Sequence, residues 1–367
     1  MSMDRPVILH QPARVEVGAG TGRAAGRWAG RGRTLVVTGT RTAGLVDRLG
    51  IEGEAAVHSG VPPEPDVPAP EAALAAARAV RPDAVIGLGG GSVLDVAKLV
   101  AALWDGDQAI GDVAGPDKIR GRTVRLAQVP TTAGTGSEAG IRALVTDPET
   151  LSKIAVESPY LIADLAVLDP ELTAGVPPDA TAATGIDALA HCVEAFTSRR
   201  AHDLVDGYAR MGLALIGRFL ARAVADGADT EARAGMMLAS YYGGVCLGPV
   251  NTAAGNAPAY PLGTRLGLPH GLANAIVFPH VLAFSEPKRP AKTAEVAAAL
   301  GLSGPLLDAA HRFCSDLGVE MRLSAHGARD GDLDAWAREA HGIRRLMDHN
   351  PREMSPGEVA AIYRAAL

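Results

Sequence analysis

An alternation of strand-like and helix-like segments in the first half of the chain restricts the fold more than any other feature. Short β-branched runs alternate there with Ala-rich stretches of helical period, an order that sets parallel strands side by side with helices packed on them. The strand-like runs are residues 34–38, 83–87, 124–129 and 163–170, and the helical stretches are residues 71–80 and 93–103. We therefore expect an α/β domain.

The pattern changes after the segment Val176-Pro177-Pro178. Long segments of helical period follow it, with few strand candidates. We place a domain boundary here, with an α/β domain over residues 1–176 and an all-α domain over residues 177–367. A cleft between two domains is the usual place for a small ligand.

Composition excludes several classes of function. Hydrophobic residues make up 47% of the chain and charged residues 21%, the balance of a globular protein. The net charge of −6 comes without a Lys/Arg block, which argues against a nucleic-acid partner. Apolar stretches fall short of a membrane span, and the start MSMDRPVIL does not match a secretory signal. Three widely spaced cysteines indicate a reducing compartment, so we expect a cytoplasmic protein without a membrane partner.

A glycine run joins the second strand to the second helix, in the segment GLGGGSVLDVAK over residues 87–98. Glycine lets the backbone approach a diphosphate without a Cβ clash, and the helix start offers N–H groups and a positive dipole end. The spacing matches neither GxGxxG nor a P-loop. A diphosphate site and a tight turn that binds nothing both remain open here.

A second polar loop, PTTAGTGSE over residues 130–138, follows the strand that ends at Val129. Its small hydroxyl residues suit a phosphate or ribose contact, although the segment taken alone is equally typical of an ordinary turn.

Four segments together resemble the iron-containing (group III) alcohol dehydrogenases, a family with maleylacetate reductase-like and phosphonoacetaldehyde reductase-like members. They are GGGSVLDVAK, PTTAGTGSE, TGIDALAHCVEAF and LPHGLANAIVFPHV. The resemblance implies an N-terminal Rossmann-like, dinucleotide-binding α/β domain plus an all-α C-terminal metal and substrate domain, as in dehydroquinate synthase. It also implies an NAD- or NADP-dependent oxidoreductase acting on a small alcohol or aldehyde, and a homodimer.

The same resemblance implies which residues hold the cofactor. It places the diphosphate on Gly89, Gly90, Gly91 and Ser92, and it lines the rest of the site with Asp95, Lys98, Thr131, Thr132 and Ser137.

The end of the first strand favours NADP over NAD. Many NAD-using relatives carry an Asp there, whose carboxylate would repel a 2′-phosphate. This chain has Gly39 at that place, followed by Thr40 and Arg41. Loss of the negative charge beside an Arg favours the phosphate of NADP, and the alternative is that Arg41 is a solvated surface residue.

The metal site implied by the resemblance is incomplete. Asp187 and His191 are four residues apart, on one face of a helix, and His270 supplies a third ligand. The fourth family position, fourteen residues before His270, is Asn256, whose neutral amide is a poor ligand for iron or zinc.

Two outcomes follow from this departure. The chain holds Fe²⁺ or Zn²⁺ through three ligands, as a Lewis acid on the substrate oxygen. Or it binds no metal, as maleylacetate reductases do, and protonated side chains polarise the carbonyl. The donors are then His270, His191 and Tyr260, which lies four residues after Asn256.

Arginines near the expected pocket indicate an anionic substrate. Arg142 falls where relatives have a pocket-lining residue, and a guanidinium there binds a carboxylate or phosphonate. Arg344 and Arg345 precede the segment at residues 350–352 that closes the cleft in relatives. Semialdehydes, maleylacetate and phosphonoacetaldehyde fit this description. The alternative is that Arg142 pairs with Glu138 or Asp187.

Two other functions compete with the dehydrogenase interpretation. A lyase of the dehydroquinate-synthase type shares the fold, but it requires a Glu/His/His metal set and a substrate site rich in Lys and Arg. A non-catalytic nucleotide-binding homologue is compatible with the Asn256 change.

Overall fold

The computed structural model describes residues 5–150 and 152–367. These residues form two compact units, Leu9–Val176 and Pro177–Leu367, the second together with residues 5–8. The expected fold class is confirmed, because the first unit is built on a parallel sheet with helices and the second unit is helical. The first four residues of the expected N-terminal domain lie outside the described part.

A parallel sheet organises the first unit. Its strands are β1 (Arg14–Val17), β2 (Thr34–Thr38), β3 (Ala55–His58), β4 (Ala84–Gly89), β6 (Arg125–Pro130) and β9 (Leu165–Leu168). They lie in the order β1-β9-β6-β4-β2-β3. A smaller sheet of order β5-β8-β7 comprises β5 (Gly115–Pro116), β7 (Arg142–Thr146) and β8 (Lys153–Glu157).

Burial on both faces explains the apolar central strands. Leu35 and Val37 of β2 belong to one hydrophobic cluster, while Val36 between them belongs to another. The helices of this unit are α1 (Arg23–Ala29), α2 (Pro68–Val80) and α3 (Gly91–Leu103). Parallel strands covered in this way are apolar without alternation, which is why the sequence predicted them.

The strands that the sequence analysis missed are partly exposed. β1 and β3 form the two edges of the main sheet, and β7 alternates between buried and partly exposed residues. β7 pairs antiparallel with β8, placing Arg142 opposite Glu157. Mixed polar and apolar residues on such strands give no continuous apolar signal.

The second unit consists of helices around its own core. They are α4 (Pro178–Thr197), α5 (Asp203–Ala225), α6 (Thr230–Leu247), α7 (Asn256–Leu266), α8 (His270–Ser285), α9 (Pro290–Ala299), α10 (Leu306–Asp316), α11 (Asp330–Gly342), α12 (Arg344–Met347) and α13 (Pro356–Ala365). Local signals set several helix starts, such as the capping box of Ser355 and Glu358 on α13. Among the described residues, no helix combines the length and apolarity that a membrane crossing requires.

Candidate functional site

Three loops meet at the carboxyl edge of the main sheet. β4 pairs with β2 on one side, Leu88 beside Thr38, and with β6 on the other, Gly89 beside Pro130. Strands in parallel register bring the loops that follow them together, and ligands of α/β sheets bind at this edge. The two glycine- and threonine-rich loops and the loop after β2 are therefore neighbours.

Close packing explains most of the glycine loop, which we define as residues 87–92. A Cβ on Gly91 would lie 2.5 Å from Cγ2 of Thr135, and one on Gly89 would lie 2.7 Å from Cβ of Val93. A Cβ on Gly90 would meet only the side chain of Thr132, at 3.2 Å. Gly90 is therefore the glycine that the fold itself requires least.

The start of α3 presents backbone donors. Gly90 is the N-cap residue and supplies no side-chain cap to the first turn. The first N–H groups of a helix have no partner within the helix, and together with the dipole they favour an anion. Ser92 accepts a hydrogen bond from the backbone N–H of Glu64 at 3.2 Å, which leaves its own proton for another acceptor.

Behind this loop, three of the residues expected to line the cofactor site bind one another. Asp95 accepts from the Ser137 hydroxyl at 2.5 Å and from the backbone N–H of Leu144 at 2.9 Å. Lys98 is fully buried, and its ammonium donates to the Ser137 hydroxyl at 2.8 Å and the Arg142 carbonyl at 2.7 Å. These contacts fasten the second loop and β7 to α3.

Burial dominates the electrostatics of this group. It lowers the pKa of Lys98, against the opposing attraction of Asp95 and Glu138. Burial also raises the pKa of Glu138 to about 7, although the Lys98 charge acts to lower it. A buried charge without a partner is costly, so these groups depend on each other.

The loop after β2 carries hydroxyls and one exposed cation. Thr38 donates to the Leu88 carbonyl at 2.7 Å, which ties this loop to β4. Thr40 and Arg41 are exposed, and Gly39 is half-buried. The Arg41 guanidinium has no carboxylate partner among the residues that the structure describes.

In the second unit, a polar cluster combines residues of three helices. Asp187, His191 and Glu194 lie on α4, Asn256 begins α7, and His270 and Asn274 lie on α8. We call these six residues the polar cluster. All are buried except His270, whose side chain is 26% exposed, so His270 is the member that solvent reaches.

Glu194 fixes the orientation of Asn256. Its carboxylate accepts from the Asn256 Nδ2 at 2.9 Å and from the backbone N–H of Ala253. Asn256 Oδ1 consequently faces His270, 3.1 Å from its Nε2. Burial raises the pKa of Glu194 to about 7, partly opposed by these two hydrogen bonds.

Asn274 occupies the centre of the polar cluster. Its Nδ2 donates to Oδ1 of Asp187 at 2.6 Å, and lies 3.3 Å from Asn256 Oδ1 and 3.2 Å from His270 Nε2. His270 Nε2 therefore has an acceptor in Asn256 and a donor in Asn274, so it has a partner in either protonation state.

This arrangement does not fit the metal that the resemblance implies. His191 Nε2 and His270 Nε2 lie 3.6 Å and 3.8 Å from Asp187 Oδ1, but the amide N–H₂ of Asn274 contacts the same oxygen. Within residues 5–150 and 152–367, no group of three His, Cys, Asp or Glu side chains is arranged to hold a metal ion. An amide hydrogen directed into the donor set, with a neutral Asn256 as the fourth donor, opposes a cation there.

Tyr260 and Arg345 lie next to His270. Arg345 donates to the Tyr260 hydroxyl at 3.1 Å, and its guanidinium carbon lies 5.5 Å from the centre of the tyrosine ring. The rings of Tyr260 and His270 are 5.4 Å apart between centroids. The structure thus brings two of the three predicted proton donors, Tyr260 and His270, together.

Arg142 pairs with Glu157. The sequence had left open a pairing with Glu138 or Asp187 instead. Two guanidinium nitrogens of Arg142 lie 3.1 Å and 2.6 Å from the same carboxylate oxygen. The reason is the strand register of β7 and β8, which places the two residues opposite each other.

Sequence reasoning missed Glu194, Asn274 and the contact of Arg345 with Tyr260. Glu194 lies seven residues after Asp187, and Asn274 lies four residues after His270. Both spacings place the missed residue on the same helix face as a site residue that the sequence did predict. Helical periodicity could therefore have indicated Glu194 and Asn274.

Family models match both units. The model for iron-containing alcohol dehydrogenases matches residues 12–170, and the model for the C-terminal part of the Fe-containing alcohol dehydrogenase family matches residues 181–367. The chain belongs to the iron-containing alcohol dehydrogenase family. As a member, it is an oxidoreductase that acts on CH–OH groups, which sets aside the lyase and non-catalytic alternatives.

Individual relatives agree with this membership. Long-chain-alcohol dehydrogenase 1 of Geobacillus thermodenitrificans is 37% identical over 346 residues, 88% of this chain and 86% of the relative. A 1,3-propanediol oxidoreductase structure matches with a TM-score of 0.92 at 30% identity, covering 99% of this chain and 100% of that one. A sulfoacetaldehyde reductase of Bifidobacterium kashiwanohense in complex with NAD⁺ matches with a TM-score of 0.88 at 26% identity, covering 99% of each chain.

Proposed function

We propose that this chain interconverts a small alcohol and its aldehyde or ketone, using NADP or NAD as the hydride carrier. Residues 1–176 hold the dinucleotide and residues 177–367 hold the substrate. The observation that carries the proposal is the start of α3 without a side-chain cap, at the sheet edge where three loops meet. The NAD⁺ complex of the sulfoacetaldehyde reductase supports it.

Backbone groups of the glycine loop bind the diphosphate in this proposal. Gly89, Gly90 and Gly91 provide close approach and N–H donors, and Ser92 adds a hydroxyl. Two residues of the second loop belong to the same edge, because the Thr131 N–H donates to the Gly89 carbonyl at 2.9 Å and Thr132 lies beside Gly90. Asp95, Lys98 and Ser137 act as positioning residues here, because their polar atoms already bind protein partners.

The loop after β2 favours NADP. Gly39 and Thr40 provide no carboxylate that would repel a 2′-phosphate, and the exposed Arg41 guanidinium supplies a positive charge. NAD lacks that phosphate and is accepted more weakly.

Tyr260 delivers the proton that carbonyl reduction requires. Hydride transfer to the carbonyl carbon leaves negative charge on the oxygen, which a nearby acid neutralises. Because Arg345 donates to the phenol oxygen, the hydroxyl proton of Tyr260 is directed to a different acceptor. His270, beside the Tyr260 ring, is the second donor.

The polar cluster favours a reaction without a bound metal, the maleylacetate reductase type of mechanism. The N–H₂ group of Asn274 contacts Asp187 where the family resemblance implies a cation. Hydrogen-bond donors of the protein then stabilise the developing oxyanion. The homodimer, the cytoplasmic location and a role for Arg142 stay predictions.

Turnover of NADPH with a panel of short aldehydes tests the proposed function. We expect oxidation of NADPH by the wild type, and a decrease of kcat by roughly 10²–10⁴ in Tyr260→Phe without a change in NADPH affinity. Tyr160→Phe, at an exposed tyrosine, is the matched control. A wild type that binds neither NADPH nor NADH would contradict the proposal.

A further inference from the structure

Two successive arginines on α12 have different partners. Arg344 donates to Asp348 and lies 3.0 Å from His341 Nε2, and its side chain is 53% exposed. Arg345 is half-buried and donates to the neutral hydroxyl of Tyr260. Within the described residues, Arg345 forms no ion pair with a carboxylate. The adjacent residues thus differ in whether the protein neutralises their charge.

Arg345 places a half-buried positive charge beside the Tyr260 hydroxyl. Removing a charge from water is unfavourable unless an opposite charge or several hydrogen bonds compensate it. Arg345 has five N–H donors, and Tyr260 accepts from one of its terminal nitrogens. The remaining donors are suited to an anion with two oxygens.

We propose that Arg345 binds the anionic group of the substrate, so that the substrate is a short aldehyde or ketone bearing a carboxylate, sulfonate or phosphonate. This inference rests on the proposed function, because it assigns Tyr260 to the carbonyl oxygen. Arg345 is then a specificity-determining residue, and Tyr260 is its immediate neighbour.

The contact between the two side chains limits the substrate length. The Tyr260 hydroxyl and an Arg345 nitrogen are 3.1 Å apart. A carbonyl oxygen bound to the Tyr260 hydroxyl and an anionic group bound to the Arg345 guanidinium would therefore be close together. At ~1.5 Å per bond, this fits a substrate with one to three carbon atoms between its carbonyl and its anionic group.

The chemistry of the reduction balances within this arrangement. Hydride from NADPH forms a C–H bond at the carbonyl carbon, while the C=O π electrons move to the oxygen. The oxygen takes the Tyr260 proton, solvent returns a proton to the phenolate, and NADP⁺ leaves. The anionic group is unchanged and serves only for binding.

Arg345 suits this role better than Arg142. Two nitrogens of Arg142 already contact Glu157, and its side chain is 17% exposed. An ion pair of that kind would have to break before the guanidinium could bind a substrate anion. Among the residues that the structure describes, Arg345 has no ion pair that would have to break.

Paired substrates and adjacent arginines provide the test. Sulfoacetaldehyde and succinic semialdehyde are compared with propionaldehyde and butyraldehyde, in wild type, Arg345→Gln and Arg344→Gln with NADPH. We expect the wild type to favour the charged aldehydes. Arg345→Gln should raise the KM for the charged aldehydes by about tenfold or more. It should change the KM for the uncharged aldehydes by less than about threefold. Arg344→Gln should behave as the wild type, and Arg345→Lys should recover part of the loss.

A binding measurement that needs no turnover accompanies the kinetics. Sulfoacetate should raise the Tm of the NADPH-saturated wild type and Arg344→Gln, but not that of Arg345→Gln. An equal increase of KM for charged and uncharged aldehydes in Arg345→Gln would overturn the proposal. A wild type whose Tm sulfoacetate does not raise would also overturn it. Either result leaves the oxidoreductase proposal in place, whereas absence of NADPH binding and of all turnover rejects the proposed function itself.

Discussion

The glycine loop of the first unit and the polar cluster of the second unit leave different atoms available to a ligand. Around the glycine loop, Asp95 and Lys98 form an ion pair and both bind the Ser137 hydroxyl, and backbone N–H groups at the start of α3 remain. In the polar cluster, the backbone lies within helices and the side chains of Asn256, Asn274 and Glu194 bind one another. The partly exposed groups are His270 within the cluster and, beside it, Tyr260 and Arg345.

This difference determines how each region responds to sequence change. A backbone site depends on conformation and tolerates many side chains, provided that the loop keeps its shape. A side-chain site depends on individual residue identities. Asn256 places its amide oxygen beside His270 Nε2, and we expect this neutral ligand to weaken metal binding relative to an imidazole at the same position.

The largest expected effect comes from breaking the charge group behind the glycine loop, a name we give to Asp95, Lys98 and Ser137. Lys98→Met leaves the partly buried Asp95 without its cation and removes the buried hydrogen bonds of Lys98, and we expect the free energy of unfolding to fall by about 3–5 kcal/mol. Urea unfolding measures this loss. Lys118→Met, at an exposed lysine, should change stability little. Equal stability of the two variants would show that the charge group does not hold the loop.

The second expected effect is a pH dependence of stability, which arises from one buried glutamate in each region. Burial raises the pKa of Glu138 and of Glu194 to about 7, above the ordinary 4.5. The folded state therefore binds these protons more tightly than the unfolded state, and stability falls as pH rises from about 4.5 to 7, by roughly 3 kcal/mol per group.

Urea unfolding between pH 5 and 7.5 tests this direction. Glu138→Gln and Glu194→Gln should each flatten the decline, because a Gln does not titrate. Stability that increases over this range, with a slope that both variants leave unchanged, would contradict the assignment.

A third effect separates the roles of two adjacent glycines. Gly91→Ala places a Cβ 2.5 Å from Thr135 and should cost about 1–3 kcal/mol of stability. Gly90→Ala should fold normally but weaken NADPH binding by about tenfold, since its Cβ occupies space needed by the diphosphate. Fluorescence titration and thermal unfolding measure the two quantities. Unchanged NADPH affinity in Gly90→Ala would argue against a diphosphate at this backbone.

The smallest expected effect concerns the choice of dinucleotide. Arg41→Gln should raise the KM for NADPH by about two- to fivefold, as expected of an exposed ion pair, and leave the KM for NADH unchanged. Arg48→Gln, whose exposed side chain pairs with Glu171, is the matched control. An equal change for both dinucleotides would mean that Arg41 does not contact the 2′-phosphate.

The sequence predicted those parts of the molecule that depend on local pattern. The fully buried strands β2 and β4 have continuous apolar runs, and the glycine loop has a composition that few other structures require. β7 and β8 were missed because buried residues alternate there with partly exposed ones, or are outnumbered by them. Their register decides the partner of Arg142, which no local pattern reveals.

Long-range contacts limited the prediction of the site. Asp187, His191 and His270 followed from spacing and family resemblance, and so did the Asn256 departure. The contact of Arg345 with Tyr260 joins residues 85 positions apart, so neither residue indicates the other. The position of Asn274 between Asp187 and His270 depends on how α4 and α8 pack together.

Metal analysis of the purified protein, with NADPH-dependent activity before and after exhaustive chelation, tests most directly whether the polar cluster acts without a metal. We predict far less than one iron or zinc ion per chain, activity that chelation does not change, and tighter Zn²⁺ binding by Asn256→His than by the wild type. A stoichiometric metal ion whose removal abolishes activity, and whose return restores it, would contradict this prediction.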